Sequence, residues 1–200
     1  TLIRSSILLE VLQSFVIRRM SDYLNSKGRT LMGWDEILEG GLAENAQVMS
    51  WRGTEGGIAA AKAGHQVVMT PTSYCYFDYF QSGSPVEPLA IGGYLPLEKV
   101  YAFQPVPKEL TDSEKQFIIG GQANLWTEYL PAMDAVYYME FPRLVAMSEV
   151  LWTQEKNRKS YDEFVIGLNK FVFPYFEKQK ISYSRAAFEP EVNWDVAENG

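Results

Sequence analysis

Near the start of the chain, apolar residues recur with helical spacing. Leu8, Leu9, Leu12, Phe15, Val16 and Met20 fall on one stripe of a 3.6-residue repeat, which predicts an amphipathic helix to about Asn25. "SKG" follows, and Gly28 suits the left-handed cap that ends a helix. The pattern then changes to short continuous apolar runs: "RTLMGW", "AQVMSW", "QVVMT" and "QFIIGGQANLW". Such runs, alternating with helices, predict buried strands of a parallel sheet covered by helices. "GGIAAAKAG" reads as a helix closed by Gly64. Further on, "DAVYYMEFPRLVAMSEVLW" reads as a buried helix that Pro142 either kinks or opens as a first-turn residue. "SYDEFVIGLNKFVFPYFEKQKI" reads as another, with Ser160 and Glu163 forming a capping box.

One stretch breaks this rhythm. Residues 80–115 carry most of the prolines, and a Pro/Gly-rich insertion of that length is either a functional loop or lid, or a surface excursion. From Tyr183 the tail is polar, and "EVNWD" reads as an edge strand or an ordered cap. Four strands are too few for a closed (β/α)8 barrel, which takes ~250 residues. The pattern leaves an open sheet, or part of a barrel whose other strands lie elsewhere. No G-x-G-x-x-G follows a strand, which gives a dinucleotide-binding sheet little support.

Composition narrows the function classes. The chain has 200 residues, is 46% hydrophobic and 22% charged, and carries a formal charge of −7, as a globular domain with a core does. No Lys/Arg stripe is present to track phosphates, so nucleic acid is not an expected partner. No apolar run approaches the ~18 residues of a membrane helix. The opening "TLIRSSILLEVLQSFVI" lacks the basic n-region and the cleavage site of a signal peptide. Cys75, the single cysteine, excludes an internal disulfide and a cysteine zinc cluster. The single histidine, His65 in "AGHQVVM", reads as a helix–strand boundary residue rather than a catalytic base.

Candidate chemistry gathers at the strand ends. Each strand run delivers an aromatic at or just past its C-terminal end: Trp34, Trp51, the cluster Tyr74–Tyr76–Phe77, and Trp126. Ligands bind at this end of α/β sheets and barrels. Carboxylates follow closely: Asp35 and Glu36, then Asp78, then Glu128. One such Trp reads as core packing; aromatics at four equivalent ends read as a pocket. Indole faces take the C–H face of a pyranose and carboxylates accept from its hydroxyls, so the site suits a sugar or polyol. The residue pattern leaves the reaction open.

"GWDEILEGG", "VMSWRG", "TPTSYCYFDYFQ" and "GGQANLWTEYL", in this order, resemble glycoside hydrolase family 20, the β-N-acetylhexosaminidases, and the resemblance runs from about Leu12 to Trp152. It implies an α/β fold, a partial (β/α)8 TIM barrel in which these are strands five to eight. Residues 1–182 would form the C-terminal half of the catalytic domain, and 183–200 a tail. It also implies retaining, substrate-assisted exo-hydrolysis of terminal β-linked N-acetylglucosamine or N-acetylgalactosamine, with the acetamido oxygen as nucleophile. Trp34, Trp51 and Trp126 would wall the acetamido pocket, Tyr76 would hold the acetamido oxygen, and Asp78 and Glu128 would bind sugar hydroxyls. No cofactor and no metal is implied, and the family acts mostly in the periplasm or outside the cell.

The chain departs from the family in one respect. No Gly-Gly-Asp-Glu run occurs, so the general acid and its aspartate partner are absent along with the first four strands. Glu128 as a substitute acid conflicts with its implied hydroxyl-binding role. The segment alone is therefore expected to be inactive, and a half-barrel with exposed strand edges is expected to self-associate. The alternative is a non-catalytic carbohydrate-binding module using the same aromatics. "GWDEILEGG" reads as a pocket wall in which Trp34 meets the ligand, and Asp35 and Glu36 anchor the loop or support that wall.

Overall fold

The structure, a computed structural model, describes residues 2–188. Helix α1 (Leu2–Ser26) leads into strand β1 (Met32–Trp34), a 3-10 turn over Asp35–Leu38, and β2 (Gln47–Ser50). Then come α2 (Glu55–Lys62), β3 (Val67–Met69) and α3 (Thr72–Cys75). The insertion carries α4 (Leu97–Tyr101) and α5 (Asp112–Lys115) ahead of β4 (Ile118–Gly121). Four helices close the described chain: α6 (Met133–Glu140), α7 (Arg143–Trp152), α8 (Tyr161–Gly167) and α9 (Phe173–Gln179).

The strands pair in the order β1-β2-β3-β4, all parallel, in register Trp34 to Met49 and Val48 to Val67. This is the parallel, helix-covered sheet that the apolar runs predict. Val48, Val67 and Met69 are fully buried beneath Ala60 and Ala61 of α2. Burial of each large apolar side chain contributes about 1.5–3 kcal/mol. The register slips at Val67/Val68, where β4 bulges at Ile119, and a bulge re-aims the residues beyond it. Past the strands proper, Tyr76 and Asn124 form a further parallel bridge, with Phe77 N–H donating to the Asn124 carbonyl and Asn124 N–H to the Cys75 carbonyl, both at 2.7 Å. That bridge carries the sheet one step beyond β3 and β4 and sets Tyr76 beside the segment leading to Trp126.

Helix α1 ends as its sequence indicates. Gly28 adopts φ +66, and the Arg29 N–H reaches back to the Leu24 carbonyl at 3.0 Å. Its apolar stripe is another matter. Leu12, Phe15, Val16 and Met20 are each about half exposed, with Arg19 of the same helix over the Phe15 ring; the side chains of Leu8 and Leu9 lie outside the described residues. The helix docks instead through its opposite face, where Ser14 and Ser21 are buried and Ile17 and Leu24 meet the core. Gln13, Ser14 and Arg18 donate to the carbonyls of Glu36, Glu39 and Gly40 at 3.0, 2.9 and 3.2 Å. Helix α1 thus braces the turn that follows β1.

Pro142 divides the single helix read from "DAVYYMEFPRLVAMSEVLW" into α6 and α7. Ser160 and Glu163 form the expected capping box at α8, and a π-helical turn at Leu168–Val172 joins α8 to α9. The 80–115 insertion divides: from Leu95 on it packs into the core, with Leu95, Leu97, Val100, Tyr101, Phe103 and Leu110 buried, while Val86, Leu89 and Ile91 before it are exposed. His65 sits at the α2–β3 junction with Nδ1 2.8 Å from the Ala46 carbonyl, a backbone contact at an element boundary. Tyr183 and Phe188 pack on Phe173 at ring separations of 4.4 and 4.9 Å. The "EVNWD" segment lies outside the described residues.

Candidate active site

At the C-terminal ends of the strands, Trp34, Glu36, Trp51, Tyr76 and Trp126 line one cavity of about 230 Å³. This is smaller than the ~300–1,000 Å³ of a site for a drug-sized ligand, and suits a single compact substituent. Trp34 faces Trp126 at 6.1 Å with a 46° tilt, and Trp51 stacks on Tyr76 at 6.3 Å and 29°. Trp126 is 45% exposed and forms the open rim. Tyr74 and Phe77 point elsewhere: Tyr74 stacks on Phe103 at 5.3 Å, and Phe77 is in the core.

The adjacent carboxylates diverge as the chain passes from extended geometry at Trp34 into the 3-10 turn. Asp35 is buried, and its Oδ2 accepts the backbone N–H groups of Trp51 and Arg52 at 3.1 and 3.2 Å. Its Oδ1 pairs with Arg52 Nε at 2.7 Å, while the same guanidinium reaches Glu39 at 2.8 Å. Those contacts with Glu39 and Asp35 raise the Arg52 pKa. Asp35 is thus occupied as an anchor. Glu36 turns into the cavity, where both carboxylate oxygens accept from the Trp51 indole N–H, at 3.1 and 3.0 Å.

Tyr76 is 8% exposed, and its hydroxyl pKa is pushed up to about 12, by burial first and then by Tyr79 and Asp78, against a hydrogen bond with Trp126. At neutral pH it is a neutral phenol, able to donate to a carbonyl oxygen. Asp78 lies beneath this aromatic group. Burial raises its pKa, a hydrogen bond from its own backbone N–H and the Arg143 charge oppose the rise, and Glu128 adds to it. Its Oδ1 is buried without a hydrogen-bond donor among the described residues, and such an acceptor gains most from a ligand hydroxyl. Glu128 is exposed beyond Trp126 and does not line the cavity. The structure therefore gathers Trp34, Trp51, Tyr76 and Trp126 into one pocket, with Asp78 buried next to it and Glu128 outside.

Because Asp78 is strained toward its neutral form, Asp78→Asn is expected to stabilise the fold at neutral pH by roughly 1 kcal/mol. The sign follows from linkage: a carboxyl whose folded pKa is raised destabilises most where both states are ionised. The advantage of the variant should shrink as pH falls through the raised folded pKa and vanish below 3.8, the ordinary value, where wild-type Asp78 is protonated in both states. Thermal unfolding at neutral and acid pH measures it, and an advantage that grows on acidification would contradict this account of Asp78.

Three positioning groups escape a reading of the sequence. Arg143, fully buried on α7, donates to the carbonyls of Phe77, Tyr79, Leu95 and Met139, and so clamps the loop on either side of Asp78. Asn124 donates to Thr70 Oγ1 at 2.6 Å and fixes the segment leading to Trp126. Ser50 accepts from Gly57 N–H at 2.9 Å and ties α2 to the end of β2. Each uses a polar side chain inside an apolar or neutral stretch, where the chain gives no local sign of the distant carbonyl or hydroxyl it meets.

Aromatic faces and a neutral phenol at the C-terminal ends of parallel βα strands suit the apolar face and a carbonyl oxygen of a substituted sugar. The chain belongs to glycosyl hydrolase family 20, whose catalytic-domain model matches residues 4–155. A β-hexosaminidase of Porphyromonas gingivalis is 53% identical over 143 residues, covering 71% of this chain and 18% of that protein. One from Vibrio furnissii is 31% identical over 142 residues, covering 68% of this chain and 23% of its own length. The fold is similar to a family 20 exo-β-N-acetylglucosaminidase from Vibrio harveyi solved with N-acetylglucosamine. Its TM-score is 0.79 at 30% identity, over 88% of this chain and 28% of that one. The chain thus spans well under half the length of these relatives.

Proposed function

We propose that this chain is the acetamido-binding half of a retaining exo-β-N-acetylhexosaminidase, and that its four strands are strands five to eight of a (β/α)8 barrel. The observation that carries this reading is the cavity in which the Trp34, Trp51 and Trp126 indoles surround the neutral phenol of Tyr76. The indoles take the N-acetyl methyl and the sugar face. The Tyr76 hydroxyl donates to the acetamido oxygen and holds it under the anomeric carbon, where it attacks with the glycosidic oxygen as leaving group. Asp78, with its unmatched Oδ1, and Glu128 accept from hydroxyls at the non-reducing end.

Proton transfer to the leaving oxygen requires an acid that this chain does not supply. Asp35 is committed to Arg52 and two backbone N–H groups, and Glu36 to the Trp51 indole. The acid pair of the Gly-Gly-Asp-Glu run lies in the other half of the barrel. That half also covers the exposed α1 stripe and the free edges of β1 and β4; without it, copies of this chain associate through those surfaces. The site of action is the periplasm or the extracellular space.

An aryl N-acetyl-β-glucosaminide assay tests the reading. The full-length protein is expected to turn the substrate over, the 200-residue chain is not, and Tyr76→Phe in the full-length protein should lower kcat on the order of 10²-fold. Turnover by the chain alone would refute the division of labour. Calorimetric binding of N-acetylglucosamine by the isolated chain, lost in Trp126→Ala, would instead favour a binding module.

A further inference from the structure

The adjacent carboxylates of "GWDEILEGG", Asp35 and Glu36, both reach one residue, Trp51. Asp35 holds its backbone N–H at 3.1 Å, and Glu36 holds its indole N–H through both oxygens. The turn presenting them is itself fixed, because Gln13 of α1 donates to the Glu36 carbonyl at 3.0 Å and the Glu39 N–H donates to it as well. Trp51 in turn is the stacking partner of Tyr76 and one wall of the cavity. An indole pivots about two side-chain torsions. With its backbone pinned and its N–H held by a carboxylate, a charge-assisted bond, it keeps one orientation. An apolar wall alone would not single out that orientation, since an indole rotated about its side chain would present a comparable face.

We infer that Glu36 is a positioning residue that locks the Trp51 indole and thereby sets how large an N-acyl group the pocket accepts. This deepens the proposed hydrolase function and rests on it. Glu36 makes no bond in the reaction. It fixes the wall against which the N-acyl methyl packs and on which Tyr76 stacks, so releasing the indole enlarges the pocket and loosens the acyl oxygen at the same time.

Two measurements test the inference. In the full-length protein, kcat/KM is compared for aryl N-acetyl- and N-propionyl-β-glucosaminides. Glu36→Ala should lower the N-acetyl value about tenfold, the worth of one hydrogen bond of this kind, and the N-propionyl value less. The propionyl-to-acetyl ratio then rises several-fold. Glu36→Gln keeps an acceptor oxygen and should hold the ratio within about twofold of wild type. A mere loss of fold would lower both substrates together. The second measurement needs no turnover: the Trp51 indole N–H resonance, assigned by its loss in Trp51→Phe, should be protected from solvent exchange in wild type and Glu36→Gln and exposed in Glu36→Ala. An unchanged ratio, or an indole equally protected without Glu36, would overturn the inference. A full-length wild type that hydrolyses neither substrate overturns the hydrolase reading instead, and the indole resonance still decides whether Glu36 holds Trp51.

Discussion

Arg143→Met is expected to cost about 4 kcal/mol or more, a large share of the ~5–15 kcal/mol that holds a domain together. The variant removes a guanidinium that donates to four carbonyls from three parts of the chain: Phe77 and Tyr79 on the loop after β3, Leu95 in the insertion, and Met139 at the end of α6. Burial is complete, so water does not replace the lost donors, and each orphaned carbonyl bears its own desolvation penalty. The Met139 carbonyl belongs to a helix end whose acceptors need outside partners. The guanidinium also sits 5.0 Å from the centre of the Phe77 ring, a contact that methionine keeps only in part. Arg143→Lys should recover the charge but not the fork, and should fall between the two. The midpoint of urea unfolding measures the loss. A methionine variant within 1 kcal/mol of wild type, a size below that of one such charged hydrogen bond, would sink the account.

The second large effect belongs to Asp35. Asp35→Ala leaves the Trp51 and Arg52 N–H groups without their acceptor and frees the Arg52 side chain, which is expected to cost about 3 kcal/mol. Asp35→Asn keeps one acceptor for the backbone and should cost about half as much. Since Trp51 carries a pocket wall, the alanine variant should also weaken N-acetylglucosamine binding by the full-length protein about tenfold or more. Unfolding and calorimetry on the two variants separate anchor from acid. If Asp35→Ala lost only catalysis, with stability and sugar affinity intact, Asp35 would be an acid after all.

Much of the fold is legible in the chain because its signals are local. Strands β1 to β4 announce themselves as short apolar runs, although only β2 and β3 bury residues fully while Met32 of β1 and Ile119 of β4 are exposed, and Gly28 and Gly64 mark helix ends through their positive φ. Trp34, Trp51, Tyr76 and Trp126 converge because parallel strands in sequential order place equivalent ends side by side, so position along each run predicts proximity. What stays hidden depends on long-range partners. Arg143 stands four residues after Met139 in an apolar helical stretch and looks like a solvated charge until the carbonyls of distant loops are in place. The α1 stripe suggests the packed face of a helix, yet the described chain meets its other side, through serines whose partners are main-chain carbonyls. That Asp35 and Glu36 part company follows from alternation along the chain, which sets Trp34 and Glu36 on one side and Asp35 on the other; what the sequence hides is that Asp35 meets Arg52 and two backbone N–H groups there.

The way α1 braces the turn after β1 bears on how the site can change over generations. Gln13, Ser14 and Arg18 all donate to backbone oxygens, of Glu36, Glu39 and Gly40, and to no side chain there. A grip on the main chain is indifferent to residue type. Position 36, the one residue of the turn that lines the cavity, can therefore change and shift the pocket toward other acyl groups, while the main-chain hold on the turn and the Asp35 anchor stay in place.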